Sequence, residues 1–268
     1  MLAAAIPIFY QLLEAYHPVV SYAPPSISIV VTPTPSNVLG TTTIKNVTQP
    51  IIAKDIGGDG KVTTIGVIGD SMIQTLGPDL PALKKSLNQY FPNRVFNLIN
   101  QGRGSQTIEY GLKEELPAVI DQKPDIIIIE SFAYNNYGNS EEGINRHWLT
   151  LGAMTTLIKE KLPNTKVIIA ATIAPNSVTF GNGIKDLHFT ALEKIEKAST
   201  TKLYLQNAIN FATSEGYPLA DAYHLSLSGN NGLSDYINST DNLHPSNAGA
   251  TLFSDVIADT ISKHKLLY

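Results

Sequence analysis

The chain has 268 residues, 43% of them hydrophobic and 16% charged, with a net charge of −4 at pH 7 and no cysteine. That length and apolar content can bury one sizeable core with an extension beside it. The acidic balance, without a cluster of Lys and Arg, argues against binding nucleic acid, and the lack of cysteine excludes disulfides, thiolate catalysis and cysteine-based zinc sites.

Residues 1–60 read as an N-terminal extension and 61–268 as one domain. Residues 1–22 are apolar but broken by Pro7, Gln11, Glu14 and Pro18, and no Lys or Arg precedes Lys45. Neither a basic signal-peptide start nor a clean membrane span results. From residue 23 to 50, Pro24, Pro25, Pro33 and Pro35 among Thr, Ser and Val suit an extended tether, through which membrane attachment is one expectation. Ile27, Ile29 and Val31 would also share one face of a strand, so a packed arm stands beside the tether as a second reading. Gly57-Gly58-Asp59-Gly60-Lys61 has too few residues before its Lys for a phosphate loop and reads as a turn.

Beyond it, apolar runs at 64–68, 95–99, 126–129 and 167–171 alternate with helical patterns near 79–90, 105–120, 142–161 and 187–211. A fifth strand near 217–222 and a last helix from about 246 to 263 complete the series. This rhythm predicts an α/β fold, a parallel sheet covered by helices on both faces.

The first run, Thr64 to Ile68, stops at Gly69-Asp70-Ser71, as a buried strand delivering a side chain to a crevice should. Asp241-Asn242-Leu243-His244-Pro245 stands just ahead of the last predicted helix. A hydroxyl needs a base to become a nucleophile, and that base needs a carboxylate to fix its tautomer. Ser71, His244 and Asp241 fit those three roles. Ser71 also has a plainer reading as a helix N-cap.

Asp221-Ala222-Tyr223-His224 is a second pair of the same spacing, but no Pro-led helix follows it, and it reads as a loop near the cleft. His147, His188 and His264 fall on predicted helices, and His17 lies in the extension. No Gly-x-Ser-x-Gly elbow and no His-Glu-x-x-His occur, and no metal or cofactor is expected.

Over roughly residues 62–264 the chain resembles the SGNH hydrolases, also called GDSL esterases and lipases. The resemblance rests on Gly69-Asp70-Ser71, on Gly102 or Gly104 in Asn100-Gln101-Gly102-Arg103-Gly104-Ser105, on Asn135 in Ala133-Tyr134-Asn135-Asn136, and on Asp241 to His244, in family order. Met72 replaces the family's Leu, a volume-conserving swap. The third block departs from the usual Gly-x-Asn-Asp, which leaves Asn136 as the fallback for Asn135.

The resemblance implies a flavodoxin-like three-layer sandwich with a five-stranded parallel sheet in the order 2-1-3-4-5. It also implies an oxyanion hole made by the Ser71 N–H, a glycine N–H at Gly102 or Gly104, and the Asn135 amide. The implied activity is hydrolysis of carboxylic esters through an acyl-enzyme on a small-molecule or glycan ester. Polar loops at 175–186 and 223–240 tilt the substrate toward acetylated carbohydrate. A catalytically weak glycan- or lipid-binding module and an acyltransferase are the alternatives. An extracellular or cell-envelope location is the expectation, with the cytoplasm left open.

Overall fold

The structure, a computed structural model, describes residues 62–268. The tether and packed-arm readings and the turn at 57–61 lie outside the described residues. Five strands, β1 (Val62–Ile68), β2 (Val95–Asn100), β3 (Ile126–Glu130), β4 (Lys166–Ala171) and β5 (Leu219–Asp221), form one sheet in the order β2-β1-β3-β4-β5. All four pairings are parallel, with Ile65 of β1 opposite Leu98 of β2 and Ile126 of β3. The central strand β3 is buried at every position, as an uninterrupted apolar run requires when both faces are covered.

Alternate residues of each strand point to opposite faces. Ile65, Val67, Ile126, Ile128 and Ile168 pack against Leu83 and Leu87 of α2 (Pro81–Tyr90) and Phe253, Ile257 and Ile261 of α8 (Asn247–Lys263). Ile127, Ile129, Val167 and Ile169 face Leu116 and Val119 of α4 (Leu116–Ile120), Leu151, Met154 and Ile158 of α5 (Glu141–Lys161), and Ala208 and Phe211 of α6 (Ala191–Glu215). The result is the three-layer sandwich in the expected order.

The helices differ from expectation at their ends. α6 begins later because Thr190 forms a capping box with Glu193, and it runs on to Gly216, whose φ of 71° ends it. His188 therefore lies in the preceding loop rather than on a helix. The helix expected from residue 105 starts at α3 (Ile108–Tyr110), after Ser105 with its positive φ of 60°. It then widens into a π turn, Gly111–Glu115, before α4. Pro117 has no N–H to donate one turn back, which favours that break. Within the expected polar loop at 223–240, residues Leu227–Ser228 and Asn231–Gly232 pair as a short antiparallel hairpin, β6 and β7. Among the described residues, no helix is long and apolar enough to cross a membrane.

Candidate active site

The loops that follow β1, β2 and β3 share the carboxyl edge of the sheet, where an α/β fold presents its crevice. After β1 the chain turns at Gly69 and enters the four-residue helix α1 (Ser71–Gln74). The turn is tight, since a Cβ on Gly69 would sit 2.4 Å from Ile73 Cγ1 and 2.7 Å from Glu130 Cβ. Asp70 is the N-cap, its carboxylate accepting the Met72 N–H at 2.8 Å. The capping role is thus filled by Asp70. Ser71 takes the first helical position, where its N–H has no intrahelical acceptor.

Gly104 and Gly102 occupy different places. The chain beyond β2 stays paired to the Gly69–Ser71 turn through Arg103 N–H to the Gly69 carbonyl, at 2.9 Å. This brings Gly104 beside Ser71: a Cβ on Gly104 would lie 3.7 Å from Ser71 Cβ, and the Gly104 N–H donates to the Gln74 side-chain oxygen at 2.9 Å. Gly102 packs underneath, with a Cβ position only 2.7 Å from the Gln74 backbone nitrogen, and its N–H is held by Asn100 Oδ1 at 2.9 Å.

β3 ends in Glu130, and the backbone reverses through Phe132, a buried residue with φ of 50°, into a 3₁₀ turn at Ala133–Asn135. A bulky residue in the left-handed region marks local strain. Three contacts hold the turn: Glu130 Oε2 accepts the Phe132 N–H at 2.8 Å, Glu130 Oε1 accepts the Ser131 hydroxyl at 2.6 Å, and the Ser131 carbonyl accepts from His147 Nε2 at 2.7 Å. Asn135 then donates to Asp70 Oδ2 at 3.0 Å. Asn136 instead closes its own loop, donating to the Ala133 carbonyl and accepting from the Gly138 N–H. It is a turn residue.

Asp241 and His244 lie in the loop before α8. The Asp241 carboxylate accepts the N–H groups of Leu243 and His244 on Oδ1, at 2.9 and 3.0 Å, and faces His244 Nδ1 with Oδ2 at 3.0 Å. Burial pushes the Asp241 carboxyl up, but the His244 ring and those two N–H groups outweigh it and leave the acid below the usual carboxylate range. With Nδ1 donating to Asp241, Nε2 is the ring nitrogen left to accept a proton. The loop is pinned by Asn238 N–H to the His244 carbonyl at 2.8 Å and by an antiparallel bridge between Ile237 and Pro245.

An apolar plug of Met72, Ile173 and Ile237, with Tyr134 and Tyr236 against it, joins the loops of Ser71, Asn135 and His244 beneath the site. A positive charge on His244 lowers the Asp70 carboxyl, which burial otherwise raises. The imidazole is therefore within electrostatic reach of the turn that carries Ser71. No hydrogen bond joins the Ser71 hydroxyl to His244 in this structure; such links are commonly long before substrate arrives.

The second pair has the same internal bonding. Asp221 caps α7 (Ala222–Leu225), accepting the His224 N–H at 3.1 Å and His224 Nδ1 at 2.6 Å. What separates the two pairs is their surroundings. The His224 side chain is 49% exposed against 19% for His244, and it lies beyond the edge strand β5 against the Tyr223 ring. His147 is buried between Ser131 and Asn207, and burial pushes its pKa down to about 4. His264 is the C-cap of α8. Among the described residues, no three His, Asp or Glu side chains converge in a way that could hold a metal ion.

Sequence reasoning placed His147 on a helix without a role at the site, and did not single out Glu115, Glu130 or Asn207. The available signal was a Glu closing a strand that otherwise reads Ile126-Ile127-Ile128-Ile129, since an acid buried in such a run has to serve a local polar purpose.

No curated protein matches the chain. In solved structures, the chain is similar to the lipase/acylhydrolase from Enterococcus faecalis, at 20% identity and TM-score 0.54 over 75% of this chain and 96% of that one. It is similar to a GDSL-like lipase from Bacteroides thetaiotaomicron, at 16% identity and TM-score 0.55 over 75% and 89%. It is also similar to a variant of an acetylxylan esterase from Geobacillus stearothermophilus, at 16% identity and TM-score 0.53 over 76% and 96%. These likenesses are of fold. The sequence itself matches the model of the GDSL-like Lipase/Acylhydrolase family over residues 67–252, from within β1 to within α8, so the chain belongs to that family.

Proposed function

We propose that the protein is a serine esterase in which Ser71 attacks an ester carbonyl, His244 Nε2 takes the hydroxyl proton and Asp241 holds the imidazole. The alcohol leaves with a proton from His244, and water then releases the acyl group by the same steps. The oxyanion would be met by the N–H of Ser71, the N–H of Gly104 and the free amide hydrogen of Asn135. The observation that carries this reading is what surrounds Ser71: Gly104 stands beside it, and the Asn135 amide is bound to the neighbouring Asp70. Gly104 is preferred to Gly102 because its N–H is held only by the end of a flexible side chain, which substrate can displace.

For the substrate we infer a short acyl group on carbohydrate. The strap between β4 and α6 lies on the Asp241 loop, with Gly181 N–H donating to the Asn242 carbonyl at 3.1 Å and Asn242 donating to the Asn182 carbonyl at 2.9 Å. These polar groups suit a sugar better than a long chain, and a structural neighbour that is an acetylxylan esterase supports the same direction. The test is a nitrophenyl ester series of increasing acyl length, run beside acetate release from acetylated xylan. Turnover falling with chain length, together with acetate release, supports the reading. A rate that climbs with chain length would refute it.

A further inference from the structure

Glu115 ends the π turn behind the nucleophile and is 2% exposed. Its Oε2 accepts the N–H of Gly69 at 3.0 Å. Its Oε1 is buried and has no hydrogen-bond partner. The bond falls on the residue where β1 becomes the turn that carries Asp70 and Ser71. Two charged groups face Glu115: Asp70, from the nucleophile turn, opposes its ionisation, and Arg103, from the loop after β2, favours it. Glu130 at the end of β3 faces the same Asp70.

An ionised carboxylate here would have one N–H for two oxygens and a second carboxylate beside it, which strongly favours the neutral acid. A neutral acid still accepts the Gly69 N–H. It also adds no negative charge behind the place where an oxyanion would form.

We propose that Glu115 is a positioning residue of the nucleophile turn, holding Gly69 as an uncharged carboxylic acid. The proposal rests on the assignment of Ser71 as nucleophile. Burial pushes the Glu115 pKa up to about 8, with the Gly69 N–H and Arg103 pulling against it and Asp70 adding to it. Above that pH the group ionises and turnover declines.

The experiment follows kcat and KM by acetate release from roughly pH 6 to 10, with melting curves, for wild type, Glu115→Gln, Glu115→Ala and Ser71→Ala. Glu115→Ala lowers kcat by about tenfold with KM within about twofold, and Glu115→Gln restores most of that loss. The wild type shows an alkaline limb near pH 8, and Glu115→Gln, which keeps an acceptor and cannot ionise, lacks it. A Glu115→Gln profile with the wild-type alkaline limb overturns the proposal, as does Glu115→Ala with wild-type kcat. If Glu115→Ala does not fold, the Gln profile alone decides. Turnover by Ser71→Ala refutes the nucleophile instead; an inactive Ser71→Ala beside an unchanged Glu115→Gln profile refutes Glu115 alone.

Discussion

The side-chain amide of Asn135 donates to the carboxylate of Asp70 at 3.0 Å, and so ties the turn after β3 to the turn after β1. Asp70 is fully buried and its other oxygen caps α1, so this one carboxylate fixes both the helix that begins at Ser71 and the orientation of Asn135. Only one of the two amide hydrogens is engaged in that bond, and the other is free for a developing oxyanion.

Replacing Asn135 by Ala should therefore lower kcat by about 10²-fold, with a smaller change in KM, the pattern expected when a transition-state donor is lost. Asn136→Ala, which alters only a local turn, should stay within about threefold. Steady-state kinetics on one short ester compares the two directly, and a larger loss at residue 136 would reverse the assignment.

The nucleophile has its own test. Because covalent catalysis runs through one oxygen, Ser71→Ala should abolish turnover, and a fluorophosphonate should label the wild type at Ser71. Peptide mapping of the label answers the question, and modification of another serine would sink the assignment.

The two Asp-x-x-His pairs are separated by kinetics. His244→Ala should lower kcat by roughly 10³-fold, whereas His224→Ala should stay within about tenfold. The ranking follows from placement, since both rings face a carboxylate but only His244 is in electrostatic reach of the Ser71 turn. The reverse order would move the base to residue 224.

Element types were legible in the sequence because the strands are short apolar runs alternating with helical patterns, and periodicity reads those directly; the sheet order came from the family resemblance, since periodicity does not say which strands are neighbours. Helix ends were less so. α6 starts at Ala191 because a capping box at Thr190 and Glu193 outranks the apolar pattern that begins at Leu187. At the candidate site, Ser71, Asp241 and His244 could be named from the sequence as residue types at recognisable spacings, and their roles rest on the kinetics proposed above. The different surroundings of Gly102 and Gly104 could not be, because they depend on which N–H is bound by Asn100 and which by Gln74. Glu115 was hidden for a similar reason. Its burial follows from a π turn that shifts the register of the helix, and residue counting at the usual period cannot see that shift.

The two glycines should respond differently to a methyl group. At Gly104 the one tight contact of an added Cβ is with Gln74 Oε1, at 2.5 Å, and a movable side chain can yield, so Gly104→Ala should fold and lose kcat as the rim beside Ser71 is reshaped. At Gly102 the Cβ would press on the Gln74 backbone nitrogen and Ile73 Cβ, both at 2.7 Å, so Gly102→Ala should chiefly lower the melting temperature. Measuring kcat and Tm on both variants tests this. Equal melting temperatures for wild type and Gly102→Ala would contradict the packing.

Acid stability should depend on His147. Its ring donates from Nε2 to the Ser131 carbonyl at 2.7 Å and accepts from Asn207 at Nδ1, at 2.9 Å, a pattern only the neutral imidazole can satisfy. Burial pushes its pKa down to about 4 from an ordinary value of 6.5. Between those values the unfolded chain binds a proton that the folded chain refuses, so stability is fully present above about pH 6.5 and declines as pH falls toward 4. The loss amounts to an order of magnitude of about 3 kcal/mol across the window. Because His147 holds the carbonyl of Ser131, next to the turn that carries Asn135, activity should fall along with stability. Melting curves from about pH 7 to 4 on wild type and His147→Gln give the comparison. The variant should start less stable and decline less steeply, because it has no imidazole to protonate. Parallel slopes for the two proteins would show that His147 does not govern the acid limb.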